Sequence, residues 1–281
     1  MSLTIDPLFD LTGKTAVITG AGGVLCSEIA RVLADRGVKV ALLGRTLKNV
    51  QVVAEDINQR GGKAIAYQCD VLDEDNLQSV REQVNEDLGH CDILINGAGG
   101  NHPEATTETP VFDNVNENVR TFFDLPKTAF QQTFDLNLIG TLLPVKAFAR
   151  DMVKKEGSVV INISSMSGFN PLTKVPAYSG AKAAVNNLTQ WLAIHFAPVK
   201  MRVNAIAPGF FLTKQNKKLL TTEDGALTPR GIQIIDHTPM GRFGQPDDLS
   251  GTIVWLCSEA SRFVTGVVVP IDGGFNAYGG V

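Results

Sequence analysis

The sequence predicts an α/β fold: one doubly wound parallel sheet of about seven strands, with helices on both faces. Three observations carry this. Seven short apolar runs recur along the 281 residues, and most are continuously apolar rather than alternating, as strands covered on both faces must be. Longer runs with helical periodicity separate them, so successive strands are joined by helical crossovers. A glycine-rich turn, Thr19-Gly20-Ala21-Gly22-Gly23, follows the first strand, where such sheets place a phosphate-binding loop.

The first strand is residues 15–19, the run Thr15-Ala16-Val17-Ile18 closing on Thr19. A helix follows from about Val24 to Arg36, with Ile29, Ala30, Leu33 and Ala34 on one face and Gly37 as a C-cap. Strand 38–43 leads to a helix over 47–59 that stops at Gly61-Gly62. Strand 64–68 leads to a helix over 73–88 that stops at Gly89. Strand 92–96 opens into the one irregular zone, residues 100–127, which carries Pro103, Pro110, five acidic residues and two basic ones. A long insert at a strand's carboxyl end borders the ligand crevice, so it is expected near the active site. The rest reads as helix 128–155, strand 158–163, helix 177–197, strand 202–206, a polar segment over 210–240 expected to cover the substrate, helix 246–258 and strand 267–271. No linker, repeat or low-complexity tract interrupts the pattern, which predicts a single Rossmann-type domain over 1–281.

Composition narrows the function. The formal net charge is −4 with no long basic run, so neither nucleic acid nor an anionic membrane surface is an expected partner. No apolar run reaches the roughly 18–20 residues of a membrane span, and the N-terminus lacks the basic and apolar regions of a secretory signal. Cys26, Cys69, Cys91 and Cys257 are far apart, which predicts small buried thiols in a reducing cytoplasm. His90, His102, His195 and His237 are equally scattered, and no metal site is predicted.

Two patterns carry chemistry. In the glycine turn, Gly20, Gly22 and Gly23 bring backbone N–H groups and a helix N-terminus, beginning at Val24 and Leu25, toward a pyrophosphate. Alone, such a turn also fits an ordinary strand-to-helix connection. The second pattern is Tyr178-Ser179-Gly180-Ala181-Lys182, which puts a phenol and an ammonium on one helix face at i and i+4. A phenol with a pKa near about 10 is drawn toward its ionised form by a neighbouring cation and can then exchange a proton with an alcohol or carbonyl oxygen. Ser165, just past a strand end, can hydrogen-bond the same oxygen. By spacing alone the pair also fits an exposed helix surface.

An ordered set of motifs gives the pair its meaning: Thr19-Gly20, Asp70-Val71, Asn96-Gly97-Ala98-Gly99, Asn137, Ser164-Ser165, Tyr178-x-x-x-Lys182, Pro208-Gly209 with Thr213, and Ile271-Asp272-Gly273-Gly274. Over nearly the whole chain the sequence resembles the short-chain dehydrogenase/reductase family. The resemblance implies a general acid/base at Tyr178, a Lys182 that lowers the phenol's pKa and holds the nicotinamide ribose, a carbonyl-polarising Ser165, and an Asn137 that holds a water linked to Lys182. It implies cofactor contacts from Asp70 and Val71 at the adenine, from Asn96, Ala98 and Gly99 along the fourth-strand turn, and from Pro208, Gly209, Phe211 and Thr213 beyond the sixth strand. It also implies a homotetramer, or a homodimer.

Departures are informative. The family turn carries glycine where this chain has Val24 and Cys26, and a second Asn where it has Gly97. With the insert, these departures resemble the D-mannonate oxidoreductase subgroup, which interconverts D-mannonate and D-fructuronate. The expected reaction is hydride transfer between NAD(P)(H) and a sugar acid. The rival readings are a related reductase of another polyol, keto-gluconate or 3-oxoacyl substrate, and a nucleotide-binding sensor without chemistry. Gly44 leaves no acid at the end of the second strand and Arg45 follows it, which favours NADP slightly over NAD. Asn101, His102, Asn170 and Lys174 follow strand ends and are the candidate substrate contacts beside Ser165.

Overall fold

A computed structural model describes residues 6–112, 118–213, 217–222 and 224–280. The seven strands are β1 (Thr15–Thr19), β2 (Lys39–Gly44), β3 (Lys63–Gln68), β4 (Ile93–Asn96), β5 (Val159–Ile163), β6 (Arg202–Pro208) and β7 (Val268–Ile271). They form one parallel sheet in the order β3-β2-β1-β4-β5-β6-β7. The helices are α1 (Val24–Asp35), α2 (Leu47–Gln59), α3 (Glu74–Asp87), α4 (Lys127–Phe134), α5 (Gly140–Met152), α6 (Pro176–Phe196), α7 (Lys217–Leu220), α8 (Pro229–Asp236) and α9 (Ser250–Cys257).

The unbroken apolar runs follow from the sandwich. Ala16, Ile18, Ile93, Ile95, Val159 and Ile161 point into a core shared with α1, α2 and α9. Their neighbours Val17, Leu94 and Val160 point the other way, against α3, α5 and α6. Alternate residues serve opposite faces, so both must be apolar. The chain runs outward from β1 to β3, then returns past β1 to β4. That reversal opens a crevice at the carboxyl ends of β1 and β4.

Two segments differ from the sequence-based expectation. The continuous helix expected over 128–155 is interrupted. Between α4 and α5 the backbone widens into a π-turn over Asp135–Ile139. The Asn137 amide takes the Thr133 carbonyl at 2.8 Å, and the Thr141 hydroxyl takes the Asn137 carbonyl at 2.8 Å. These side-chain bonds satisfy the local backbone while the turn aims Asn137 at the crevice. The second difference lies in 210–240, expected only as a polar covering segment. It holds α8, whose N-terminus is capped by Thr228 accepting the Gly231 N–H at 3.1 Å, with Pro229 at the first helical position. Leu220 and Ile234 pack with Phe243, just beyond the segment, in a small separate core. Within this segment, residues 214–216 and 223 lie outside the described residues.

Candidate active site

The site begins where β1 ends. The Thr19 hydroxyl accepts the N–H groups of Gly97 at 3.0 Å and Ala98 at 3.2 Å, stitching the turn after β4 to β1. Gly20 then turns with φ +64°, and a Cβ there would sit 2.7 Å from the Gly97 carbonyl oxygen. Only glycine satisfies both conditions. Gly23 caps α1 from an extended conformation with no side-chain acceptor, so the helix presents its first N–H groups to the crevice. A Cβ at Gly22 would fall 2.9 Å from Asn49 Cβ on α2, so this position too is closely packed.

A cleft of about 350 Å³ joins this turn to the candidate catalytic groups. Gly20, Gly23, Val24, Leu25, Gly99, Ser165, Tyr178, Lys182, Pro208, Gly209, Phe211 and Thr213 all line it, as the sequence anticipates. Lys182 is 4% exposed; its Nζ donates to the Ile163 carbonyl at 2.7 Å and lies 5.6 Å from the centre of the Tyr178 ring. Burial lowers the Lys182 pKa to about 8. A Cβ at Gly99 would fall 3.2 Å from Nζ and 2.7 Å from Asn137 Oδ1, so the turn after β4 lies flush against both side chains. Asn137 in turn holds Gly100, donating to its carbonyl at 2.6 Å and accepting its N–H at 3.1 Å.

Burial also raises the Tyr178 pKa, and in the chain alone the group that opposes burial is the Ser165 hydroxyl, not Lys182. The reason lies one turn away. Ser165 Oγ accepts from the Ser167 N–H at 3.2 Å and from the Ser167 hydroxyl at 3.0 Å, leaving its own proton for the phenol. Ser167 is 2% exposed and is a positioning contact that motif spacing does not reveal. A further residue the sequence does not single out is Asn276. Its side chain accepts from Asn170 Nδ2 at 2.5 Å and ties the C-terminal segment to the loop after β5.

Other candidates lie off the cleft lining. Asn96 donates to Asn162 at 2.9 Å inside the sheet, and its Oδ1 is buried without a partner among the described residues. Ala98 is held behind the turn by Thr19. Arg45 is exposed at the end of β2. Asp70 and Val71 follow β3, where the Asp70 carboxylate accepts the Leu72 N–H at 3.0 Å. The four substrate candidates do not converge on the cleft. Asn101 donates to the Thr106 hydroxyl at 2.7 Å, and His102 Nδ1 accepts the Glu104 N–H at 3.2 Å, so both are used to fold the insert. Asn170 is bound to Asn276, and Lys174 lines a separate cavity of about 250 Å³ under Pro110, Phe112 and Phe122.

The residues fit a dinucleotide. A glycine turn too tight for any Cβ stands at one end, and a buried ammonium and phenol stand at the other. Comparison with known proteins agrees. The family described as short chain dehydrogenase matches residues 14–224. An oxidoreductase of Haemophilus influenzae, of uncharacterised activity, is 53% identical over 282 residues, spanning 100% of this chain and 99% of the relative. The 7alpha-hydroxysteroid dehydrogenase of Escherichia coli K12 is 32% identical, with 94% of each chain covered. A crystal structure from Haemophilus influenza with bound NAD, of a candidate D-mannonate oxidoreductase, superposes with a TM-score of 0.94 at 52% identity, covering 99% of this chain and all of that one.

Proposed function

Because the chain belongs to the short-chain dehydrogenase family and is an oxidoreductase of alcohol and carbonyl groups, we propose that it interconverts a sugar acid and its keto form, with D-mannonate and D-fructuronate as the pair. The observation that carries the chemistry is the convergence of Ser165, Tyr178 and Lys182 on one cleft whose far end is the Gly20–Gly23 turn. The support for the sugar acid is the likeness to the candidate D-mannonate oxidoreductase.

When bound, the nicotinamide supplies the hydride acceptor or donor. The chain does the proton chemistry. In the oxidation direction, Tyr178 Oη takes the proton from the substrate hydroxyl. Ser165 Oγ donates to the oxygen borne by the carbon being oxidised and holds it against the phenol. Lys182 supplies positive charge beside the phenolate and a donor for a ribose hydroxyl. Asn137 braces the Gly100 turn against Lys182 and holds the water of a proton relay. In reduction the proton runs back from Tyr178 to the carbonyl oxygen. Gly20, Gly23 and the α1 N-terminus hold the pyrophosphate; Asp70, Val71 and Arg45 stand at the adenosine end; Pro208, Gly209, Phe211 and Thr213 close the nicotinamide end. In this reading the insert 100–127 stands near the active site and the segment 210–240 covers the substrate.

For the cofactor we propose NAD(H), on the strength of the NAD-bound relative, with Arg45 giving NADP(H) a second route in. The active form is a homotetramer or homodimer joined through the outer face of α6, where Trp191 and Ile194 are exposed, and the compartment is the cytoplasm. One assay tests the central reading. The protein is mixed with NAD⁺ or NADP⁺ and D-mannonate, D-gluconate, glycerol or a 3-hydroxyacyl thioester, while the reduced cofactor is followed by absorbance. Turnover of D-mannonate above the rest is expected. Tyr178→Phe should lose at least about 100-fold in kcat, the usual worth of a general acid/base, with cofactor binding kept. Full activity in that variant would falsify the mechanism.

A further inference from the structure

Two of the departures from the family pattern, a cysteine at 26 and a glycine at 97, meet in space. Cys26 is buried in the first turn of α1, and its sulfur lies under the turn that follows β4. A Cβ placed on Gly97 would fall well inside 3.0 Å of that sulfur. It would also stand 3.0 Å from the Thr19 carbonyl oxygen and 3.5 Å from Ile163 Cγ1, so the strands on either side leave it nowhere to go. The gap therefore holds one side chain, and here position 26 supplies it.

We propose that Cys26 and Gly97 are a matched pair that sets the spacing between the phosphate-binding turn and the nicotinamide-side turn, which makes Cys26 a positioning residue for Lys182. Three contacts fix the second turn. The Thr19 hydroxyl draws it toward β1, the Gly20 backbone abuts the Gly97 carbonyl, and the Cys26 sulfur props it from below. Two residues further on, Gly99 lies against the Lys182 ammonium. A displacement at Gly97 is thus passed to the wall that confines Nζ. The thiol acts as bulk rather than as a nucleophile, because burial pushes its pKa up to about 12.

The proposal rests on the reading of this cleft as the cofactor site, and a double-mutant cycle tests it. The full-length protein, Cys26→Gly, Gly97→Ala and the double variant are compared by NAD⁺ dissociation constant, by thermal midpoint of the cofactor-free protein and by the pH profile of kcat. Any helix cost of a glycine at 26 appears in both arms and cancels. Gly97→Ala should weaken NAD⁺ binding by about tenfold or more, the scale of one overpacked methyl group. The double variant should return to within about threefold of Cys26→Gly, a coupling that neighbouring sites show and distant ones do not. Cys26→Gly alone should move the alkaline limb of the pH profile, which a purely structural role would leave in place. If Gly97→Ala does not fold, folding of the double variant supports the pair, and failure of both overturns it. Additive effects, or an unmoved alkaline limb in Cys26→Gly, also overturn it. Absence of NAD⁺ and NADP⁺ binding by the unaltered chain would overturn the reading of the cleft itself, an outcome distinct from missing coupling.

Discussion

The inner wall of the cleft and its outer rim are built on opposite terms. On the inner wall, Lys182, Ser165, Asn137 and Thr19 are buried, and their polar atoms are engaged by backbone or by one another. On the rim, the insert exposes Val111, Phe112, Phe122 and Phe123, and its polar side chains bond mostly within a few residues of themselves. Tightly packed, buried structure opens only with much of the fold, whereas exposed loops open locally. The difference teaches a division of labour. In the proposed function, proton transfer, which needs closely fixed atoms, falls to the wall. In the proposed function, substrate choice falls to the more exposed rim.

The sharpest way to break this contrast is at Lys182. Lys182→Met should cut kcat by about 100-fold or more, yet make the cofactor-free protein more stable by about 1–3 kcal/mol near neutral pH, because a buried ammonium is no longer desolvated. The sign is fixed by the direction of the shift. The folded pKa is about 8 against a reference of 10.5, so below pH 8 both states carry the proton and the burial cost is present in full. Between those values only the unfolded chain keeps the proton, so the cost fades as pH rises. The stability gap between variant and parent, measured by urea unfolding, should therefore narrow from pH 8 to 10.5. A gap that is absent or that widens would overturn the account.

Ser167→Ala asks how far the wall's support matters. Losing the hydroxyl that orients Ser165 should lower kcat by about tenfold, the worth of one net hydrogen bond, with KM for NAD⁺ unchanged. An equal rise in both KM values would instead mean a general loosening of the cleft. The smallest effects belong to the rim. Phe122→Ala or Phe123→Ala should alter thermal stability by no more than about 0.5 kcal/mol, since both rings are exposed, while changing substrate KM more than kcat. A loss of kcat as large as that of Ser167→Ala would erase the distinction between wall and rim.

The comparison also explains what could be read in advance. All seven strands and the Tyr178-Lys182 pair were legible because their signals are local. Strand burial writes itself into a run of apolar residues, and i,i+4 spacing places two side chains on one face of α6. The positions of the four substrate candidates relative to the cleft were not legible. Asn101 and His102 were drawn into the insert's own turn by partners a few residues away, a choice that strand-end position does not encode.

By itself, then, the amino-acid sequence determined the parallel sheet through its periodicity, and it marked the glycine turn at Gly20 and the trio of Ser165, Tyr178 and Lys182 through an ordered set of motifs that resembles one family, since their spacing alone left other readings open. Only the tertiary structure decided the π-turn that aims Asn137, the support of Ser165 by Ser167, the tie between Asn170 and Asn276, and the exchange of bulk between Cys26 and Gly97. The physical reasons are two. The first two rest on local side-chain bonds that compete with regular backbone, which periodicity does not register, and the last two on atoms far apart in sequence; at Cys26 and Gly97 a close-packed interior assigns one gap to one side chain without marking the choice in either neighbour's sequence.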